Sequence, residues 1–490
     1  MKNKLIILLI VIVLFFFSIF ISDNLDNSKV ERFHQHLNSQ QPDENIDLSN
    51  IDADIYQTVD IIKNNFKTHL PIIEINTNNQ TIPGTDSVPT NEYINVEFKV
   101  YDEKEKNNTF NNKPNISTFA QVRYRGNSSL KFDKKGLRIK LIDQNGNPDN
   151  KKLLGMNSDN DFVLHGPYLD KTLLRNYLGY NITGEIMGYS PNVRFCEVFI
   201  NNEYQGLYLL VETVKVKNNR VNITKIRDNS IATSYMLEIN PKDYLKKSEL
   251  YLNNFTTYTK INPKNYFIQY PNSEKLNNEI INYIENDLSD FEKRLYSYDY
   301  DSNTFGYYND IDINSFVNYT VINEFFLNYD AGSNSTIIYK DITGKYKLVF
   351  WDMNNIFDNY FVALLNENTF YLKNRPWFEM LFKDEYFTDL VIARYKELRQ
   401  TYLNEEYLNN YIDEVVEYLG PAIYRNFVRW GDSFTDEKNL LIPVERNIHS
   451  YNEAIEQLKY TIKVRGKYLD NNIESIKQFS HESKVKNYNP

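Results

Sequence analysis

Cysteine is almost absent from this chain, since Cys196 is the single cysteine among 490 residues. A single cysteine excludes an internal disulfide, a Cys-based metal site and a CxxC redox motif. The six histidines are scattered without HExxH spacing, so a structural zinc site is not expected. Glycine and proline are scarce as well, at 16 and 15 residues, which argues against a linker or a low-complexity array.

Positive charge is also in short supply, because 55 Lys and Arg residues stand against 65 Asp and Glu residues, a formal net charge of -10. Nucleic acid is therefore not an expected partner, since a phosphate backbone requires a basic face. Hydrophobic residues make up 41% and charged residues 24% of the chain, a balance typical of globular proteins. The length exceeds one ordinary domain of about 100–200 residues, so two packed lobes are expected.

The N-terminus carries a long hydrophobic run. Leu5–Ile21 contains no charge and, with its edges, approaches the roughly 20 residues that span a bilayer. The flank lacks the small-residue cleavage site of a secretory signal, so residues 5–22 are predicted to be a transmembrane signal anchor; a cleaved signal is the alternative. Two lysines predict that residues 1–4 are a cytoplasmic stub and that the body lies outside the cytoplasm. The polar residues 23–66 are interpreted as a juxtamembrane linker.

The order of periodic segments predicts an α+β fold. Apolar and polar residues alternate over 93–101, 119–125 and 136–141, as in half-buried strands. Residues 67–240 are therefore predicted to be a sheet-rich N-terminal lobe. Helical spacing dominates later, so residues 241–479 are predicted to be a helix-rich C-terminal lobe, followed by a flexible tail at residues 480–490.

Two aspartates stand at positions that suit metal-dependent phosphoryl transfer. Asp330 follows the end of a predicted helix and precedes Asn334 by four residues, and Asp352 follows an apolar strand. One such carboxylate can orient an attacking hydroxyl while the other, with an Asn, holds Mg²⁺ on nucleotide phosphates. The spacing alone is a weak signal. The alternative is an ordinary loop Asp and an ordinary strand-terminal Asp.

A second polar signal is a turn that begins at Arg125 and is followed by a strand with Arg138 and Lys140. Turn amides beside cations form a cradle for an anion, although no Walker sequence is present. The alternative is a plain β-turn with solvated lysines. Glu212 ends a buried strand, where it is either a functional acid or an edge-strand charge.

Five strings in order resemble the CotH kinase family, the spore coat protein H type: RGNSS, LLGMNSDNDFVLHGPYLDKTLLRNYL, EVFINNEYQGLYLLVETVK, YMLEIN and FWDMNNIFDN. The resemblance covers roughly residues 90 to 475. It implies an atypical, two-lobed protein-kinase-like fold. It also implies transfer of the ATP γ-phosphate to Ser or Thr of secreted, envelope or spore-coat proteins, with Mg²⁺ or Mn²⁺ as the metal.

The resemblance also implies roles for individual residues in the catalytic segment 330–359. Asp330 matches the catalytic Asp of the family, and Asp352 matches its metal-binding Asp. Asn334 fits an auxiliary metal ligand. The family usually reads D-x-D at the metal site, where this chain has Asp352 and Asn354, so the metal would be held with less charge.

The nucleotide-binding roles follow from the same resemblance. Arg125, Arg138 and Lys140 would face the phosphates, and Glu212 would lie near the nucleotide cleft. Because Asn354 contributes a neutral amide at the metal site, the alternative is a catalytically impaired pseudokinase. Such a protein would act as a structural spore-coat or cell-surface interaction protein. A glycosidase needs two carboxylates that flank a sugar, and no acidic pair here has such a local context.

Overall fold

The computed structural model describes residues 33–84, 90–126, 128–228, 230–240, 251–360, 363–437 and 441–484. The strands among these residues are β1 (Lys67–Thr68), β2 (Ile72–Asn76), β3 (Ile94–Tyr101), β4 (Asn108–Thr109), β5 (Ile116–Arg125), β6 (Gly136–Ile142), β7 (Asp161–His165), β8 (Val193–Ile200), β9 (Glu203–Glu212), β10 (Tyr235–Ile239), β11 (Tyr266–Tyr270), β12 (Thr336–Lys340) and β13 (Lys347–Val349). The α-helices are α1 (Arg175–Ile186), α2 (Phe255–Thr259), α3 (Asn278–Leu295), α4 (Ile313–Phe326), α5 (Phe378–Leu381), α6 (Glu385–Arg399), α7 (Glu405–Leu419), α8 (Pro421–Trp430) and α9 (Tyr451–Asn472).

Seven strands close into a barrel in the order β2-β3-β5-β6-β7-β9-β8. Strand β2 pairs antiparallel with β3 and in parallel with β8, so the sheet has no free edge. Alternate apolar residues of these strands form a single interior cluster, which includes Phe98, Val122, Ile139, Leu164 and Leu210. The other face of the strands points outward, because successive side chains of a strand alternate between its two faces.

A second sheet has the order β11-β10-β12-β13 and is antiparallel throughout. The largest apolar cluster joins this sheet and the helices to the outer face of β8 and β9, through residues such as Phe195, Leu209, Phe316 and Leu348. The barrel and the helical part therefore share one core. Residues 235–239, which the sequence assigned to the N-terminal lobe, lie in this second sheet as strand β10.

The structure corrects the predicted architecture. The α+β class is right, but the expected two-lobed protein-kinase-like fold is wrong, because the sheet of the first half closes into a barrel that does not match a kinase fold. Period-2 alternation identifies strands and their buried faces. It carries no information on whether the two outermost strands pair with each other, and here β2 and β8 do.

The predicted membrane anchor is corrected as well. Residues 5–22 lie outside the described residues, and none of the helices in the described part of the chain has the length and apolar character needed to cross a bilayer. The single-pass anchor, and the placement of the body outside the cytoplasm that depended on it, therefore have no support in the structure.

Part of the predicted linker, residues 23–66, is packed onto the helices. Phe33 is buried and stacks on Tyr411 of helix α7 with ring centroids 4.5 Å apart. His36 is also buried, and its ring lies edge-on to the same tyrosine. Phe33 and His36, both within the predicted linker, are thus packed against helix α7.

Candidate active site

The segment after strand β13 is held by helix α1. The backbone N–H of Asp352 donates to the Tyr180 hydroxyl at 3.0 Å, and the N–H of Met353 donates to Asn176 Oδ1 at 2.9 Å. Asp352 adopts a left-handed backbone with φ of 61°, which is uncommon for a residue other than glycine. Gly179 of the same helix permits the close approach, since a Cβ there would lie 3.0 Å from Met353 Cβ. Helix α1 therefore fixes the position of the Asp352 backbone, from which the carboxylate projects.

Asp330 lies on the loop that follows helix α4. Leu327 caps the C-terminus of this helix and takes the left-handed conformation typical of such a position. One carboxylate oxygen of Asp330 accepts from Asn334 Nδ2 at 3.0 Å, and its own backbone carbonyl accepts from the N–H of Asn334 at 2.8 Å. The residue is only partly buried. Its carboxylate is thus oriented by its own loop while remaining accessible.

Asn355 joins the two aspartate segments. Its Nδ2 donates to the second carboxylate oxygen of Asp330 at 2.9 Å, and its Oδ1 accepts from Asn354 Nδ2 at 2.9 Å. Asn354 Oδ1 is buried and has no hydrogen-bond partner among the described residues. The two segments, 22 residues apart in the sequence, therefore present two carboxylates and an unused amide oxygen in one cluster.

Arg125 ends strand β5 beside this cluster. Its guanidinium lies 5.5 Å from the ring centroid of Trp351, and its charge acts on Asp352. Burial is the largest of the influences that together raise the pKa of Asp352 to about 6; the charge of Arg125 opposes the rise, and the negative charge of Asp330 adds to it. Asp352 is thus a carboxylate for which a nearby cation would be favourable.

His165 contacts the Asp352 segment indirectly, through Asn176. Asn176 accepts from the backbone N–H of Met353 through its Oδ1. Its Nδ2 lies 2.7 Å from His165 Nε2. Burial lowers the pKa of His165 to about 4, and the charge of Arg125 acts in the same direction. The ring is therefore neutral at pH 7, and its Nε2 accepts the amide hydrogen of Asn176.

The remaining sequence-predicted residues have partners of their own. Arg138 and Lys140 share the outward face of the barrel with Arg125. Arg138, however, is paired with Asp161: its Nε and Nη2 each lie 2.7 Å from one of the two carboxylate oxygens. Lys140 Nζ lies 4.8 Å from the ring centroid of Tyr93.

Glu212 ends strand β9, where it stands opposite Phe162 of β7. It is on the same face of β9 as the interior residue Leu210, and its Oε2 accepts from the N–H of Asn192 at 3.0 Å. The structure thus brings together Asp330, Asn334, Asp352, Asn354 and Arg125, and it places Glu212 at the turn before β8.

Four residues of the cluster were missed by the sequence reasoning: Asn176, Tyr180, Trp351 and Asn355. Asn176 and the pair Trp351 and Asn355 lie inside two of the strings that carried the family resemblance, so those strings were a usable signal. Their roles were not readable, because each acts through a contact with a residue distant in the sequence.

We expect Asp352→Asn to stabilise the metal-free chain at neutral pH. Because the pKa of Asp352 rises from 3.8 to about 6 on folding, the folded chain holds a proton that the unfolded chain has released, so the wild type loses stability as pH rises through this window. The neutral amide avoids that loss, which reaches about 3 kcal/mol above pH 6. Urea unfolding with EDTA at pH 4 and pH 7 measures the difference.

The control for this substitution is Asp290→Asn, at an exposed position of helix α3 whose carboxylate pairs with Lys293. It removes the same charge from a solvated site and should leave the pH dependence unchanged. An Asp352→Asn effect of equal size at pH 4 and pH 7 would contradict the assignment of a raised pKa.

A comparison with protein-family models shows which family the chain belongs to. The family model described as CotH kinase protein matches residues 122–469, which is more than half of the chain. The chain belongs to the CotH kinase protein family. The match includes every residue of the cluster, from Arg125 to Asn355. No curated protein matches the chain.

The donor set found in this CotH family member fits a divalent cation. Asn354 Oδ1 is a buried oxygen without a hydrogen-bond partner in the described part of the chain, and Asp352, two residues earlier, is a desolvated carboxylate. Carboxylate and amide oxygens are the ligands that Mg²⁺ and Mn²⁺ prefer. Membership of the family therefore points to a kinase or a spore-coat protein, and the residues are compatible with metal-assisted chemistry.

Proposed function

We propose that this chain is a metal-dependent protein kinase that transfers the γ-phosphate of ATP to Ser or Thr hydroxyls of a protein substrate, such as a spore-coat protein. The observation that carries the proposal is the Asn355 bridge, which ties the Asp330 loop to the Asp352 segment through a 2.9 Å hydrogen bond. Two carboxylates and a cation in one partly buried cluster suit phosphoryl transfer, where positioning and electrostatics supply most of the catalysis.

Asp330 is proposed to act on the attacking hydroxyl. Its carboxylate is oriented by Asn334 and Asn355 and is accessible, so it can accept a hydrogen bond from a Ser or Thr side chain. As the hydroxyl oxygen bonds to the γ-phosphorus and the bond to ADP breaks, the proton passes to this carboxylate. General-base assistance of this kind contributes about 10²–10⁴-fold in rate.

Arg125, Asp352 and Asn354 are proposed to hold the donor. Arg125 projects from the outer face of the barrel beside Trp351 and offers its guanidinium to phosphate oxygens. Asp352 and Asn354 Oδ1 would bind Mg²⁺ or Mn²⁺, with Asn334 as an auxiliary ligand. When bound, the metal neutralises phosphate charge and fixes the donor in place.

A second candidate function is supported by one observation. Asn354 occupies the position at which the CotH kinase family usually has a second aspartate. Its amide contributes an oxygen without a charge. A weaker metal site would leave a nucleotide-binding pseudokinase that serves as a structural spore-coat component. ATP binding without phosphoryl transfer is the behaviour that distinguishes it.

The test is an assay on the full chain with γ-labelled ATP and either Mg²⁺ or Mn²⁺, with dephosphorylated casein as the acceptor. We expect metal-dependent label on casein or on the chain itself. In parallel, ATP with metal at about 100 times its Kd should stabilise the fold by roughly 2.7 kcal/mol. Stabilisation without label favours the pseudokinase, and neither label nor stabilisation contradicts both candidates.

A further inference from the structure

A cluster of metal-ligating side chains lies where the N-terminal segment meets helix α7. His34 and His36 are two residues apart on a single turn, and Glu414 projects from α7 toward them. Their candidate ligand atoms all lie within 4.8 Å of one another. Two of the three residues precede the family match at residues 122–469, so membership of the family does not account for the cluster.

The packing around the cluster holds the turn against the helix. Phe33 stacks on Tyr411 at 4.5 Å and on Tyr407 at 5.6 Å between ring centroids. The hydroxyl of Tyr411 also donates to the backbone carbonyl of Phe33 at 3.2 Å. These contacts present both imidazoles to the side of α7 that carries Glu414. The cluster is therefore built by the fold and is not a chance meeting of mobile surface side chains.

The spacing suits a tetrahedral ion. His36 Nε2 lies 3.3 Å from Glu414 Oε2. Zinc bonds of about 2.0–2.2 Å place neighbouring ligand atoms roughly 3.3–3.6 Å apart in a tetrahedral site. The pair of His36 and Glu414 already has this separation, and the third ligand reaches it by closing no more than about 1.5 Å.

One polar atom of the cluster lacks a hydrogen-bond partner in the described part of the chain. His34 Nδ1 is buried and finds no hydrogen-bond partner within the described residues. Such an atom is costly to bury unless something binds it. His36 is fully buried, and its Nδ1 lies 3.4 Å from the Tyr177 hydroxyl, the kind of outer contact that orients a ligating imidazole.

The site is also reachable from solvent. The Glu414 side chain is 40% exposed and His34 is only partly buried, so an ion could enter from the side of these two residues. The third member, His36, closes the inner end of the site.

We propose that His34, His36 and Glu414 bind one zinc-class divalent cation, which fastens the N-terminal segment to helix α7. Two imidazoles and one carboxylate favour Zn²⁺ over Mg²⁺, because Mg²⁺ prefers a shell of oxygen ligands. Three protein ligands leave the fourth tetrahedral position to water. The site is thus distinct in metal preference from the Asp352 cluster.

The test is calorimetric titration of the full metal-free chain with ZnCl₂, first alone and then in excess MgCl₂. We expect one Zn²⁺ per chain with micromolar or tighter affinity that Mg²⁺ does not abolish. Binding should also raise the unfolding temperature, because an ion that binds only the folded state stabilises it. Absence of Zn²⁺ binding to the wild type overturns the proposal.

The variants are His34→Asn and Glu414→Gln, chosen because His36 is fully buried and its replacement could impair folding. Each should weaken Zn²⁺ binding at least about 10-fold and remove the Zn²⁺-dependent rise in unfolding temperature. Glu417→Gln, at an exposed position one turn along the same helix, and His449→Ala, at an exposed histidine, are the matched controls. Equal binding by His34→Asn and the controls, or an equal loss in Glu417→Gln and Glu414→Gln, contradicts the assignment.

Discussion

The Asp330→Asn chain should lose about 10²–10⁴-fold of its phosphoryl-transfer rate, because the amide cannot take the proton of the attacking hydroxyl. The substitution keeps the size of the side chain, and one oxygen remains to accept from either Asn334 or Asn355. One hydrogen bond to the charged carboxylate is lost, so the stability should fall by about 1.5–3 kcal/mol. The labelled-ATP assay, run at saturating ATP beside a urea unfolding curve, separates loss of catalysis from loss of fold.

Two further measurements make this result specific. Binding of ATP with metal should be little changed in Asp330→Asn, because Asp330 is assigned to the hydroxyl and the donor is assigned to Asp352 and Arg125. Asp290→Asn, which removes an exposed carboxylate from α3, should retain the full rate. If Asp330→Asn keeps more than half of the wild-type rate, Asp330 is not the catalytic base.

The strands of the barrel were predictable because alternation is a local property. The alternating segments 93–101, 119–125 and 136–141 correspond to β3 (Ile94–Tyr101), β5 (Ile116–Arg125) and β6 (Gly136–Ile142). Closure was not predictable from the same signal. It depends on the parallel pairing of Ile72–Ile75 with Glu197–Ile200, more than 100 residues away, and alternation does not identify a partner strand.

The candidate site was predictable to a similar extent. Asp330 and Asp352 stand out because each follows an element with a clear apolar pattern, and Arg125 ends an alternating strand. Asn355 was missed because it lies in an irregular polar loop, where no periodicity indicates which side chain turns inward. The histidine cluster was beyond reach of the sequence, since His36 and Glu414 are 378 positions apart.

The second large effect that we expect is a loss of stability in Arg465→Met. Arg465, in the middle of helix α9, is fully buried and pairs with Glu324 Oε2 at 2.9 Å. Its other nitrogens donate to the backbone carbonyls of Glu324, Glu367 and Thr369 at 2.5–2.7 Å. Removing it leaves several buried acceptors and a carboxylate without their cation.

The consequence for Glu324 determines the size of the effect. Burial already raises the pKa of this carboxyl group, and the charge of Arg465 is the largest opposing influence. The carboxylate also accepts from the N–H groups of Tyr371 and Leu372, at 3.1 and 2.7 Å. Without Arg465, either a proton must be taken up or an unpaired charge stays buried, and breaking such a pair costs about 3–5 kcal/mol.

The measurement is urea unfolding at pH 7 of Arg465→Met beside Lys459→Met. Lys459 lies on the same helix and pairs with Asp413 at 2.5 Å, but the Asp413 side chain is 61% exposed. A solvated pair of this kind contributes about 0–1 kcal/mol, so the control should unfold near the wild-type midpoint. If both variants unfold at the same urea concentration, the buried pair does not hold helices α4 and α9 together. If only Arg465→Met is destabilised, the buried pair holds α9 against the last turn of α4, where Glu324 lies six residues before Asp330.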